Sequence, residues 1–257
     1  MASMKNTLVC VTGASAGIGA ACADAFARAG SRLLLTARRT QRLEALARRL
    51  AGEHGVEVRT AALDVRDRDA VERVFASLPE EWRAIDVLVN NAGLSRGLDK
   101  LHEGKIQDWE EMIDTNVKGL LYVTRAVLPG MVRRDSGHVI NIGSVAGHAT
   151  YPGGNVYCAS KFAVTALGRA LKMDLLGTHV RVSSVDPGLV QTEFSEVRFR
   201  GDAERAAKVY ADTVPLRPED VAEAVVWCAT RPPHVNVNEL VLMPVYQASV
   251  TMVHRPG

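Results

Sequence analysis

The chain has 257 residues, 47% of them apolar and 23% charged, and a formal net charge of +2. That length fits one large α/β domain or at most two small ones, with ample apolar material for a core. The near-balanced charge excludes strong attraction to nucleic acid or a membrane surface. No apolar run reaches signal-peptide or membrane-span length, so a reducing cytoplasm is the expected location. Cys10, Cys22, Cys158 and Cys228 are widely spaced, without a CxxC pair, so free thiols and no metal are expected.

Short β-rich apolar runs alternate with longer helical patterns along the whole chain. Residues 8–12 predict a buried strand, followed by a Gly-rich turn and a helix of small residues through Ala29. A strand over 32–36 and a helix over 42–50 come next, then a strand over 56–61 and a helix over about 69–77. Strands over 86–89 and 138–142 flank a long helical region, 109–133. A helix over 157–176, a strand over 180–185, a helix over 218–230 and a strand over 240–242 complete the pattern. Strands apolar on both faces and alternating with helices imply a doubly wound parallel sheet. No repeat or Pro/Gly/Ser-rich linker divides the chain, so residues 1–257 are expected to form a single domain.

The first strand runs into Thr12-Gly13-Ala14-Ser15-Ala16-Gly17-Ile18-Gly19. Glycines there permit a tight turn, and the helix that follows offers free N–H groups to a phosphate. The second strand ends in Thr36-Ala37-Arg38-Arg39, where dinucleotide folds usually place an acid for the adenosine ribose. An acid would repel a 2′-phosphate and two guanidiniums can clasp one, which favours NADP(H) over NAD(H). The bland alternative is two solvated arginines. Asp64 and Val65 follow the third strand, Asn90-Asn91-Ala92-Gly93 the fourth, and Pro187-Gly188-Leu189-Val190-Gln191-Thr192 the sixth. All share the carboxyl edge where ligands bind, although Asn and Gly are also ordinary turn formers.

Tyr157 and Lys161 stand one helical turn apart, so an ammonium can approach a phenol and lower its pKa from about 10 towards the range of proton transfer. Ser144, thirteen residues earlier, can hydrogen-bond a substrate oxygen or simply cap a turn. Asn116 can serve a polar site or a core hydrogen bond. His148 and Tyr151 are placed to line the same pocket without taking part in chemistry.

The joint set TGxxxGIG, NNAG, Asn116, Ser144, YxxxK and Pro187-Gly188 resembles the short-chain dehydrogenase/reductase family over nearly the whole chain. The resemblance implies a single-domain Rossmann fold with a seven-stranded doubly wound parallel sheet. It implies a catalytic set of Asn116, Ser144, Tyr157 and Lys161, with Tyr157 as general acid/base and Ser144 holding the substrate oxygen. Lys161 would lower the tyrosine pKa and bind the nicotinamide ribose, and Asn116 would anchor a water in the proton relay. Cofactor contacts are expected from Gly13, Ser15, Ala16, Gly17, Ile18 and Gly19, and from Arg38, Arg39, Asp64 and Val65. Asn91, Ala92, Gly93, Tyr157, Lys161, Pro187, Gly188, Val190 and Thr192 complete that set.

Ile113-Asp114-Thr115-Asn116, residues 125–131, Gly153-Gly154-Asn155-Val156-Tyr157, residues 193–199 and residues 234–238 narrow the likeness. They resemble the NADP-dependent 3-hydroxy acid dehydrogenases, also described as serine or allo-threonine dehydrogenases and malonic semialdehyde reductases. That likeness implies a small, polar, acidic substrate, a mobile substrate loop over about 189–215 and a homotetramer. Arg198, with Arg200 as its rival, is the expected partner of the substrate's acid group; Ser144, Tyr151 and Tyr157 complete the substrate set. Sulfoacetaldehyde or another small aldehyde is the alternative substrate, and an NADP-binding regulatory protein the non-enzyme alternative. The tail, 245–257, departs most from this pattern.

Overall fold

In the computed structural model, which describes residues 4–255, strands and helices alternate as their patterns predict. The first half contains β1 (Leu8–Thr12), α1 (Gly17–Arg28), β2 (Arg32–Ala37), α2 (Thr40–His54), β3 (Val58–Ala62), α3 (Arg68–Ala76) and β4 (Val87–Asn90). Then come α4 (Ile106–Ile113), a π turn (Asp114–Gly119), α5 (Leu120–Arg133), β5 (Gly137–Ile142) and α6 (Asn155–Asp174). The rest is β6 (Val180–Pro187), α7 (Phe194–Arg198), α8 (Ala203–Tyr210), α9 (Pro218–Ala229) and β7 (Glu239–Leu242).

The seven strands form one sheet in the order β3-β2-β1-β4-β5-β6-β7, and every neighbouring pair is parallel. Successive side chains of a strand face opposite sides, and both sides are covered. Val9, Val11, Leu33 and Leu35 face a core shared with Cys22 and Phe26 of α1, Leu43 of α2 and Val225 of α9. Leu8, Cys10, Leu34 and Leu88 face the other, with Phe75 of α3 and Val123, Val127 and Met131 of α5. The strand order reverses between β1 and β4, so their carboxyl ends diverge into a crevice, the place where a doubly wound sheet receives a ligand.

Two departures from the sequence reading bear on that crevice. The region expected as one helix over 109–133 starts earlier and is interrupted by the π turn at Asp114–Gly119. A Cβ built on Gly119 would stand 2.6 Å from Val65 Cγ2, so glycine lets the wider turn press against the loop after β3. Single π turns inside helices recur at functional sites. The expected substrate loop also carries two short helices, α7 and α8, with Asp202 capping α8 through the Arg205 amide.

His138 on β5 is buried, with its Nε2 2.8 Å from Ser183 Oγ and its Nδ1 without a partner among the described residues. Burial, helped by the charges of Arg181 and Lys172, pushes its pKa down from 6.5 to about 3. The folded protein therefore binds this proton less readily than the unfolded chain. The stability tied to neutral His138 is present above pH 6.5 and is lost as pH falls towards 3. Each pH unit crossed is worth on the order of 1 kcal/mol. Urea midpoints measured across that window should fall with acidification, and His138→Gln should fall less steeply than the parent.

Candidate active site

The loops after β1 and β4 are stitched together under the crevice. Thr12 Oγ1 accepts from the amides of Asn91 and Ala92, both at 3.0 Å. The Asn91 side chain donates back to the carbonyls of Thr12 at 2.9 Å and Gly13 at 3.2 Å. Gly17 has φ +53°, a conformation that favours glycine. Gly19 permits close approach: a Cβ there would stand 2.4 Å from Asn91 Nδ2 and 2.5 Å from the Gly13 carbonyl. α1 starts at Gly17 with neither a side-chain cap nor an acid in its first turn, so its N–H groups and positive dipole end face the crevice.

Above this stitch lies a cavity of about 450 Å³. The sequence-predicted residues Gly13, Ser15, Ala16, Gly17 and Ile18 line it, as do Arg38, Arg39, Asp64 and Val65. Asn91, Ala92, Gly93, Ser144, Tyr151, Tyr157, Lys161, Pro187, Gly188, Val190, Thr192 and Arg198 share the wall. Three expected residues do not reach it. Gly19 is tucked beneath Asn91, and Asn116 and His148 lie behind the wall. Asn116 Oδ1 accepts from the Leu94 amide at 2.8 Å, while its Nδ2 donates to the Leu94 carbonyl at 2.8 Å and to Ser160 Oγ at 3.0 Å. Its amide thus ties the π turn to the β4 loop and α6. His148, expected to line the pocket, turns instead onto Asp186.

The phenol and amine of α6 are both buried. Lys161 Nζ donates to the Ile142 carbonyl at 2.9 Å and lies 6.0 Å from the centre of the Tyr157 ring. Ser144 caps the 3-10 turn Val145–Gly147, its Oγ accepting from the Ala146 amide at 3.1 Å. The direction of the Tyr157 shift corrects the sequence expectation. Burial pushes its pKa up to about 12, opposed first by the charge of Arg198 and then by a hydrogen bond with Ser144. Burial likewise pulls Lys161 down to about 8, against the charge of Asp186. The decisive physical quantity here is desolvation, which sequence spacing does not report.

Arg198, on α7, donates from Nε to Ser95 Oγ at 3.1 Å and from Nη2 to the Tyr151 hydroxyl at 3.2 Å. Its guanidinium carbon lies 5.4 Å from the centre of the Tyr157 ring and 5.2 Å from that of Phe194. Its rival, Arg200, turns away onto Asp108 and Glu111. At the opposite end of the cavity Arg39 contacts Ser15 Oγ at 3.2 Å, and Glu193 bridges Arg39 at 2.8 Å and Arg42 at 2.5 Å. Neither Glu193 nor Gln247 of the tail carries a local sequence signature of a site residue. Gln247 Oε1 accepts from the Leu189 amide at 2.8 Å, so the tail packs on its own chain's cavity, with Gln247 and Val250 in the wall.

A glycine-cradled helix start, a basic edge after β2 and a buried Ser–Tyr–Lys group on one side of the crevice agree with what the family comparison finds. Residues 7–202 match the short chain dehydrogenase family. The chain belongs to that family. As a short-chain dehydrogenase it is 55% identical over 250 residues to the NADP-dependent 3-hydroxy acid dehydrogenase YdfG of Salmonella typhi, covering 96% of this chain and 99% of that one. The sulfoacetaldehyde reductase 2 of Chromohalobacter salexigens is 49% identical over 244 residues, covering 95% and 96%. Among solved structures, the closed form of serine dehydrogenase complexed with NADP+ superposes with a TM-score of 0.91 at 52% identity, covering 97% of this dehydrogenase and all of that chain.

Gly19→Ala tests the packing of the cradle. The added methyl meets backbone as well as a side chain, and overpacking of this kind costs about 1–3 kcal/mol. Gly52→Ala on α2, where a Cβ meets nothing within 4 Å, should stabilise by about 0.4–1 kcal/mol. Chemical denaturation of the two variants should therefore move in opposite directions.

Proposed function

We propose that this chain is an NADP(H)-dependent oxidoreductase that interconverts a small 3-hydroxy acid, of the serine, allo-threonine or 3-hydroxypropionate type, with its 3-oxo acid or semialdehyde. The observation that carries the substrate class is the place of Arg198. Its guanidinium stands 5.4 Å from the Tyr157 ring, and among the described residues its polar partners are the hydroxyls of Ser95 and Tyr151 rather than a carboxylate. An acid group held there would set a carbon a short chain away beside Tyr157 and Ser144. A guanidinium binds a carboxylate through paired charge-assisted hydrogen bonds. It suits a sulfonate equally, which keeps sulfoacetaldehyde as the second reading, alongside the 49% identical reductase.

The cofactor's residues fit the group. The uncapped start of α1 suits the pyrophosphate, and Arg38 and Arg39, at the end of a strand that itself supplies no acid, suit a 2′-phosphate, with Glu193 paired to Arg39. When bound, the nicotinamide supplies the hydride chemistry. The chain's part is to orient the substrate and manage a proton. Tyr157 gives a proton to the carbonyl oxygen in reduction and takes one from the hydroxyl in oxidation. Ser144 hydrogen-bonds the same oxygen, the charge of Arg198 opposes the cost of a buried phenolate at Tyr157, and Lys161, fixed by the Ile142 carbonyl, would hold the nicotinamide ribose. Asn116 acts from behind by fixing the π turn against α6. A homotetramer accords with the exposed Leu121 and Val132 of α5 and Phe162 and Met173 of α6.

Tyr157→Phe should retain NADPH binding, read by nucleotide fluorescence, while kcat drops by roughly 10²–10⁴-fold; full turnover would remove Tyr157 from this role. Arg198→Ala should raise KM for a 3-hydroxy acid by about 10–100-fold, the worth of a charge-assisted hydrogen bond, with much less effect on an uncharged alcohol. An unchanged KM for the acid would end the assignment of Arg198.

A further inference from the structure

The loop between β4 and α4 takes hold of the end of α7 through consecutive residues. Ser95 Oγ accepts from Arg198 Nε at 3.1 Å, the Arg96 guanidinium donates to the Val197 carbonyl, and the Gly97 amide donates to the Arg198 carbonyl at 3.0 Å. Carbonyls at the end of a helix lack their regular partners, and here the loop supplies donors to two of them. Gly97 has φ +56°, so the chain can turn its amide towards α7 without a Cβ penalty. On its other side the same loop is tied to α6. Asn155 Nδ2, two residues before Tyr157, donates to the Asp99 carbonyl at 2.9 Å. One loop therefore connects the elements that carry Arg198 and Tyr157.

Arg96 is the residue of this loop with a second anchor. Its Nε donates to Glu111 Oε2 at 2.6 Å, and both side chains are largely withdrawn from water, at 14% and 16% exposure. Glu111 lies one turn beyond Asp108 on α4. Both acids also receive Arg200, which bonds Asp108 and lies 3.6 Å from Glu111. Arg200 holds φ +54°, a left-handed conformation uncommon for a residue with a Cβ. It points to α4, while Arg198 stays in the cavity wall. Two arginines and two acids thus form a charge-balanced group that grips the chain on either side of Arg198. Arg96 itself is not in the cavity wall, so any effect it has on substrate passes through α7.

We propose that Arg96, braced by Glu111, is a positioning residue that sets the distance between the Arg198 guanidinium and Tyr157, and with it the length of acid the site accepts. The inference rests on the reading that Arg198 receives the acid group of the substrate. That guanidinium and the Tyr157 ring stand 5.4 Å apart. An acid held at one must present its hydroxyl carbon at the other, so moving the anchor by one bond length changes which carbon is presented. Productive geometry tolerates little misplacement of this kind. The fork of a guanidinium suits the task, because it donates to a carboxylate and a carbonyl in fixed directions at once.

The test compares NADP+-driven oxidation of 3-hydroxypropionate, 4-hydroxybutyrate and the uncharged 1,3-propanediol. Arg96→Met keeps bulk but neither polar contact, and Arg200 remains to hold Glu111. It should raise KM for 3-hydroxypropionate about 10-fold, the scale of one charge-assisted hydrogen bond, and leave kcat/KM for the diol within about twofold. The preference for 3-hydroxypropionate over 4-hydroxybutyrate should narrow. Arg96→Lys, whose single ammonium lacks the fork, should fall between Arg96→Met and the parent. On an Arg198→Ala background, Arg96→Met should raise the KM of the acid no further. A parent-like KM for the acid in folded Arg96→Met, an equal loss on the diol, or full additivity with Arg198→Ala would overturn the proposal. Arg96→Lys at the parent KM does so even where Arg96→Met does not fold. Failure of the underlying reading looks different: Arg198→Ala itself would leave KM for 3-hydroxypropionate unchanged.

Discussion

The cleft depends on the stitch between Thr12 and Asn91. A parallel sheet buried on both faces sends every loop of one edge to the same side of the molecule, but it does not fix how those loops meet. At the reversal of strand order the loops after β1 and β4 would otherwise part. A threonine hydroxyl that takes two amides and an asparagine amide that returns two hydrogen bonds hold them at one separation. Gly13 and Gly19 are small because this junction leaves no room for a Cβ. The start of α1 is aimed by the same junction, and the dinucleotide site inherits its shape from hydrogen bonds that touch no ligand.

On that scaffold the chemistry is governed by burial. Tyr157 and Lys161 are removed from water, and each is driven towards its neutral form, the phenol upwards and the amine downwards. Charges placed around them work in the opposite direction, Arg198 from the substrate side and Asp186 from behind the sheet edge. Proton transfer in such a site is set by the balance of a desolvation cost and two fixed charges of opposite sign on opposite sides. Spacing along one helix could suggest the pair; it could not supply the balance.

Much of the architecture was legible in the sequence because its causes are local. Apolar runs of strand length, the glycines after β1 and the missing acid after β2 are each written in a few consecutive residues, and the sheet, the cradle and the basic edge follow from them. What escaped depends on contacts distant along the chain. The π turn at Asp114–Gly119 is set by Gly119 meeting Val65, and a helical periodicity carries straight through it. His148 was placed in the pocket by its position between Ser144 and Tyr157, whereas Asp186, 38 residues away, draws it to the other side. Glu193 and Gln247 read as ordinary polar residues until the fold brings them to Arg39 and Leu189.

The bridge from Glu193 to Arg39 and Arg42 ties together two ends of the cleft that a sequence map would keep apart. Glu193 immediately precedes α7, the helix that carries Arg198, while the arginines border the edge after β2. A protein engineer who reversed the charge at Arg39 to exchange one dinucleotide for another would set two carboxylates against each other and unsettle the segment that covers the opposite end of the cleft. Drift at either end is constrained in the same way. On the roles proposed for Arg39 and Arg198, evolving a new redox partner and evolving a new metabolite are coupled problems, and laboratory selection for one should recover compensating changes in the other.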